Sequence, residues 1–241
     1  MIETLILACV IVIAGTFCVW AQEKSDMPRW VREAEELLES IDDYTAVFYR
    51  QVKVKGELKE KETMFLKFKK PLKIYLKWIE SPYMGRELLY VEGENNNRMK
   101  IHGTGLLSHV TINIDPCSSL FLKSSRHPIT EIGLVFIVKF IGREFRKGIE
   151  RGEVDIIYRG EETVFGRKTV KVEGVFPRDA GKGYYCYRAV VNMDLETKIP
   201  IAIEVYDWED ELFEYYGFEG IVLNAGLDED DFDPKNVQYG F

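Results

Sequence analysis

The sequence predicts an α+β fold, a large curved antiparallel sheet with helices packed on one face. Three observations lead there. Short alternating segments recur along the chain with turn residues between them, as in an antiparallel meander. One long segment in the middle, RHPITEIGLVFIVKFIGREFRKG from Arg126 to Gly148, reads instead as a helix apolar on nearly all sides. The overall order is helix, strands, helix, strands, with no convincing internal repeat or low-complexity tract.

Leu5 to Trp20 is a run of apolar and small residues without charge. It is short for a membrane-spanning helix, which needs about 20 residues. Val19-Trp20-Ala21 places small residues at the two positions read for signal cleavage, before Gln22. Met1 to Thr4 lacks the usual Lys or Arg, and Phe17 is too large to precede a lipoprotein cysteine at Cys18. Residues 1–21 are therefore expected to be a cleaved secretory signal or a retained single-pass anchor, and residues 22–241 a single domain.

After a polar linker, Pro28 to Ile41 has helical spacing, with Trp30, Ala34, Leu37, Leu38 and Ile41 on one side and glutamates on the other. Tyr44 to Val54 alternates as a strand, Lys55-Gly56-Glu57 turns, and Leu58 to Lys69 returns. Beyond Pro71, Leu72, Ile74, Leu76 and Trp78 alternate with Lys73, Tyr75 and Lys77, which predicts one apolar face and one wet, cationic face. Shorter strands follow at Glu87 to Glu92, Arg98 to His102 and Leu106 to Ile114. A Ser-rich connection, Asp115 to Ser125, leads to the central helix.

Thr130 is that helix's expected cap, Ile129 and Leu134 its staple, and Gly148 its left-handed terminator. Such a helix is either wrapped by a sheet or lines an apolar cavity. Strands then resume at Val154 to Arg159, Lys168 to Phe176, Tyr184 to Asp194, Ile199 to Trp208 and Leu212 to Leu223.

No catalytic constellation stands out. The three histidines, His102, His109 and His127, have no metal-ligand spacing. Phosphate-binding and nucleophile-elbow patterns are absent, and no cofactor is expected. The stretch Asp228 to Asp233 lacks the alternation of a calcium loop and reads as a solvated turn anchored by Phe232. A net charge of −8 without a basic cluster argues against nucleic acid as a partner. Cys117 and Cys186 are either a disulfide formed in an oxidising compartment or two separate thiols, since spacing alone does not supply a Cα distance.

Two stretches carry a family resemblance. ETMFLKFKKPLKIYLKWIESPYMGRELLYVEGENNNRMKIH, from Glu62 to His102, resembles the strand block of the LolA/LolB-like lipoprotein-carrier superfamily. KIPIAIEVYDWEDELFEYYGFEGIVLNAGLDEDDFDPKN, from Lys198 to Asn236, resembles its C-terminal portion. RHPITEIGL, from Arg126 to Leu134, is similar to an uncharacterised bacterial envelope family of this fold, known only as a domain of unknown function. The resemblance implies a half-barrel sheet with helices in its open side, enclosing space that holds acyl chains in the carriers. It implies a non-catalytic binding protein of the periplasm or outer membrane, with a lipid or acylated lipoprotein as ligand and a membrane-associated partner in reach. The alternative is an envelope sensing module that binds a peptide or lipoprotein and regulates a membrane partner. The lining expected on this basis is Leu66, Phe68, Leu76, Trp78, Leu134, Phe136, Val138 and Ile141.

Overall fold

Alternation along the chain becomes twelve antiparallel strands in one sheet. The computed structural model describes residues 29–105 and 110–241; the signal or anchor expected at residues 1–21, and His109, lie outside the described residues. The strands are β1 (Asp43–Val54), β2 (Glu57–Leu58), β3 (Glu62–Lys69), β4 (Lys73–Trp78), β5 (Glu87–Val91), β6 (Met99–His102), β7 (Thr111–Ile114), β8 (Asp155–Val164), β9 (Arg167–Val175), β10 (Arg188–Asp194), β11 (Pro200–Tyr206) and β12 (Leu212–Leu223). Their spatial order is β7-β6-β5-β4-β3-β1-β12-β11-β10-β9-β8, with β2 paired to β1. The edge strands β7 and β8 do not pair with each other, so the sheet stays open. Strand β12 has the bounds its alternation predicts. The segment expected as one strand from Leu58 is instead split into β2 and β3, and the strand expected from Tyr184 begins only at Arg188.

Among the described residues three α-helices accompany the sheet: α1, described over residues 29–39, the four-residue α2 (Ser119–Leu122) within the Ser-rich connection, and α3 (Gly133–Arg151). Among the described residues no helix is long and apolar enough to cross a membrane. The sheet's concave face, α3 and the apolar stripe of α1 share one core that includes Val31, Ala34, Leu38, Phe48, Met64 and Leu134. Helix α3 has the sheet on one side and α1 on another, but it is amphipathic and not apolar all round as expected: Leu134, Ile137, Val138, Ile141 and Phe145 are buried, while Lys139, Arg143 and Arg146 are exposed. The two helices approach closely at Gly142, where an added Cβ would lie 2.7 Å from Val31 Cγ1. Arg146 clamps Glu35 of α1 through two nitrogens, at 2.9 and 3.0 Å.

Both ends of α3 differ from expectation. Thr130 belongs to a separate 3-10 turn, Ile129–Glu131, and does not cap the helix. The extended Ile132 and Gly133, at φ +85°, reset the chain direction first. The helix start is satisfied from the sheet instead: the Leu134 N–H donates to the buried Tyr44 phenol oxygen at 2.9 Å. A Cβ at position 133 would sit 2.2 Å from that oxygen, so glycine is required on two counts. At the other end the helix runs past Gly148 to Gly152, which takes the left-handed conformation.

The convex face is not wet. Tyr75 is only 2% exposed, packed with Leu89, Val91 and Phe232. Residues 227–241 cover this part of the sheet, and Tyr239 stacks on Tyr75 with ring centroids 4.1 Å apart. Of the lysines expected to face water, Lys73 pairs with Glu229 of the acidic stretch at 2.5 Å, while Lys77 stays partly exposed and pairs with Glu87 at 3.0 Å; on the neighbouring β3, Lys67 pairs with Asp231 at 2.6 Å. Asp228 to Asp233 is thus a turn anchored by Phe232. Cys117 is exposed, Cys186 is buried, and both are free thiols. Of the two alternatives for these cysteines, two separate thiols is the one realised, and the disulfide is not formed.

Candidate functional site

One face of α3 looks onto the β10–β12 half of the sheet without filling the space between. Phe136, Phe140 and Glu144 recur at four-residue spacing on that face, with Ile137, Ile141 and Phe145 one position further on. Opposite them stand Ala189 from β10 and Ile203 and Val205 from β11, while Phe176 and Cys186 come from the segments flanking the β9–β10 connection. Together they bound a cleft of about 500 Å³, its mouth included. Its interior is narrow, and the partly buried Phe136 and Phe140, whose rings lie 5.8 Å apart, form part of its wall.

His127, Glu214 and Tyr216 complete the lining and mark its polar end. Glu214, on β12, is 1% exposed and has three partners gathered on Oε1. Arg126 Nε donates at 2.7 Å and the Tyr185 hydroxyl at 2.5 Å, and His127 Nε2 lies 3.3 Å away. A buried carboxylate needs such company to offset its lost hydration. The Arg126 guanidinium also lies 3.8 Å over the Phe213 ring.

Residues 125–127 are fixed from the other half of the sheet too. Arg50 on β1 donates to Ser125 Oγ at 3.1 Å and to Glu62 on β3, and Glu62 accepts from Trp78 Nε1 on β4 at 3.1 Å. Ser125 in turn donates to the His127 carbonyl at 2.7 Å. The loop entering α3 is thus tied into both halves of the sheet.

These contacts set the titration of the cleft's groups. For His127, burial acts to lower the pKa, but Glu214 and Glu131 outweigh it and the value is raised. Burial, with the negative charge of Glu214, pushes the Tyr185 phenol up. The Cys186 thiol is pushed up to about 12, chiefly by burial and further by Glu144 and Glu214, so it is held as an unreactive thiol. Among the described residues no group of His, Cys, Asp and Glu is arranged to hold a metal ion.

The eight residues expected to form a lining divide among three places. Phe136 and Ile141 line the cleft. Leu66, Phe68, Leu76, Trp78 and Leu134 are buried in the packed core and do not border it. Val138 is also buried and borders a separate groove between α1 and α3 with Leu38, Val135 and Lys139. Sequence reasoning missed Phe140, Glu144, Cys186 and the whole Arg126–His127–Tyr185–Glu214 cluster. The available signal was the RHP motif at the helix entrance.

Comparison with known proteins follows the same lines. The family model of DUF1571, protein of unknown function, matches residues 41–241. No protein of curated function matches the chain in sequence. Among solved structures, MucB is similar at 15% identity and a TM-score of 0.52, over 87% of this chain and 62% of that one, so this chain spans less than two thirds of MucB. The Mycobacterium tuberculosis lipoprotein LppX is similar at 13% identity and a TM-score of 0.50, over 86% of this chain and 97% of that one. A LolA-superfamily protein from Nitrosomonas europaea matches at 10% identity and a TM-score of 0.35, over 85% and 96%. The fold resembles those of MucB and LppX, an open antiparallel sheet with few helices.

Proposed function

We propose that this chain, which belongs to the DUF1571 family of proteins of unknown function, is a non-catalytic binding protein of the bacterial envelope that takes the apolar part of a lipid or acylated lipoprotein into the cleft under α3. The observation that carries this reading is the contrast inside one core: α3 is closely packed at its start, yet leaves a cleft walled by Phe136, Phe140, Ile203 and Val205 on its β10–β12 side. An apolar cleft with a few convergent polar groups is the usual form of a ligand site. Burial of an acyl chain contributes about 0.8 kcal/mol per methylene, so a short length of chain gives useful affinity. LppX, a similar fold, is itself a lipoprotein. On this reading residues 1–21 serve export or anchoring, and residues 22–241 are the binding domain.

The test is titration with an uncharged fluorescent probe, N-phenyl-1-naphthylamine. Saturable binding near one probe per chain is expected, weakened by Phe140→Glu, which puts a charge into the wall. Absence of saturable binding by the unmutated protein contradicts the proposal.

A further inference from the structure

The two carboxylates of the cleft are not equally provided for. Glu214 has three partners on Oε1, as described: two donors and His127. Glu144, on α3, is 8% exposed and lines the same cleft. Its Oε1 accepts from Arg143 Nε at 3.1 Å, and its Oε2 has only the Tyr185 N–H, at 3.4 Å. The second contact lies at the far end of hydrogen-bond range. The first comes from a side chain that is 65% exposed and also lies over the Phe140 ring. A carboxylate offers about four acceptor positions, so Glu144 keeps capacity beside an apolar wall, where an unfilled acceptor is costly.

The cations have no such spare capacity on the cleft side. No lysine or arginine lines it. Arg126 donates to Glu214 and to the Lys53 carbonyl. His127 lies within hydrogen-bond distance of Glu131 through Nδ1, and of Tyr185 and Glu214 through Nε2. An anionic group brought into the cleft would meet two carboxylates and no lysine or arginine in the lining, Arg143 lying outside it over the Phe140 ring. An ammonium or hydroxyl group would meet an acceptor with room for it.

We propose that the cleft selects an apolar molecule carrying a hydrogen-bond donor, an amine or a hydroxyl, over one carrying an anion, with Glu144 as the acceptor. This rests on the cleft being the binding site. It goes beyond that reading by setting the polarity of the group that enters.

The experiment is displacement of N-phenyl-1-naphthylamine from the full chain at neutral pH by three molecules with the same twelve-carbon chain: dodecylamine, dodecanol and laurate. The amine and the alcohol are expected to displace the probe at concentrations about tenfold lower than laurate, and Glu144→Gln to shrink the amine-to-laurate ratio to about threefold or less. A more potent amine than alcohol assigns charge as the selected feature; equal potency assigns hydrogen bonding alone. Laurate displacing as well as the amine, or a ratio unchanged in Glu144→Gln, overturns the inference. If the variant does not fold, the order of the three molecules on the unmutated protein decides alone. Probe binding with the wrong order sinks only this inference, whereas no probe binding at all sinks the cleft reading with it.

Discussion

The two sides of α3 are made of similar side chains and behave differently. At the helix start, Leu134 is 0% exposed, the Leu134 N–H is held by Tyr44, and Phe68 stacks on Tyr44 with centroids 4.9 Å apart. On the side toward β10–β12, Phe136 and Phe140 are only partly buried and the space before them is incompletely filled. The difference lies in what meets the helix. On the first side β1, β3 and β4 present a solid row of large apolar side chains, from Tyr44 and Phe48 to Leu66 and Trp78. On the second side the sheet offers Ala189 and, near the start of β12, Glu214 with its polar partners. A small residue and a buried charge cluster leave room that another leucine would have filled. Hydrophobic composition alone therefore does not separate a core from a site; the identity of the facing strand does.

The largest expected effect comes from breaking the polar end of the cleft. Glu214→Ala leaves Arg126 without its buried partner and should destabilise by about 3–5 kcal/mol, read by urea denaturation; a loss below about 1 kcal/mol, the range of exposed ion pairs, would mean the cluster is peripheral. Next is the packed side, where Leu134→Ala should cost about 2–5 kcal/mol, the range for cavities in a closed core. The matching change on the cleft side, Phe136→Ala, should cost less than the roughly 3–5 kcal/mol of a fully packed phenylalanine, because one face of the ring already lacks close neighbours. Equal losses at positions 134 and 136 would erase the contrast between the two sides.

Smaller effects concern pH. The pKa of His127 is raised in the folded chain, so its contribution is fully present below its unfolded value of 6.5 and is lost as pH rises through the folded value. Stability should fall on the alkaline side of 6.5, and His127→Gln should flatten that part of the profile. Far from the cleft, Asp194 works in the opposite direction. Burial acts to raise its pKa, but Arg167 and the Thr197 amide and hydroxyl hold it down to about 2. Its contribution is present above 3.8 and lost as pH falls toward about 2, and Arg167→Gln should weaken that acid dependence.

Much of the architecture was legible because it rests on local alternation. Strand β12 appears where the pattern puts it. What was not legible depends on contacts distant in sequence. Arg126 and His127 stood out as part of a motif, but Glu214 is 88 positions from Arg126, and Tyr185 is 58 from His127. The wet face read from Lys73-Tyr75-Lys77 failed for the same reason. Its cover comes from Phe232 and Tyr239, whose nearby acids pair with Lys67 and Lys73 and so remove the usual argument for exposure. Of the eight expected lining residues only Phe136 and Ile141 border the cleft, because strand parity shows which side chains point inward, while the space left between helix and strand depends on the facing side chains.

The central claim is that the β10–β12 side of α3, and not its packed side, receives an apolar molecule. The most direct measurement is photolabelling with an uncharged alkyl diazirine, followed by peptide mapping. Labels should concentrate on the peptides carrying Phe136, Phe140, Cys186 and Ile203. Labels on the peptides of β3 and β4 around Leu66 and Leu76 instead, or no saturable labelling anywhere, would contradict it.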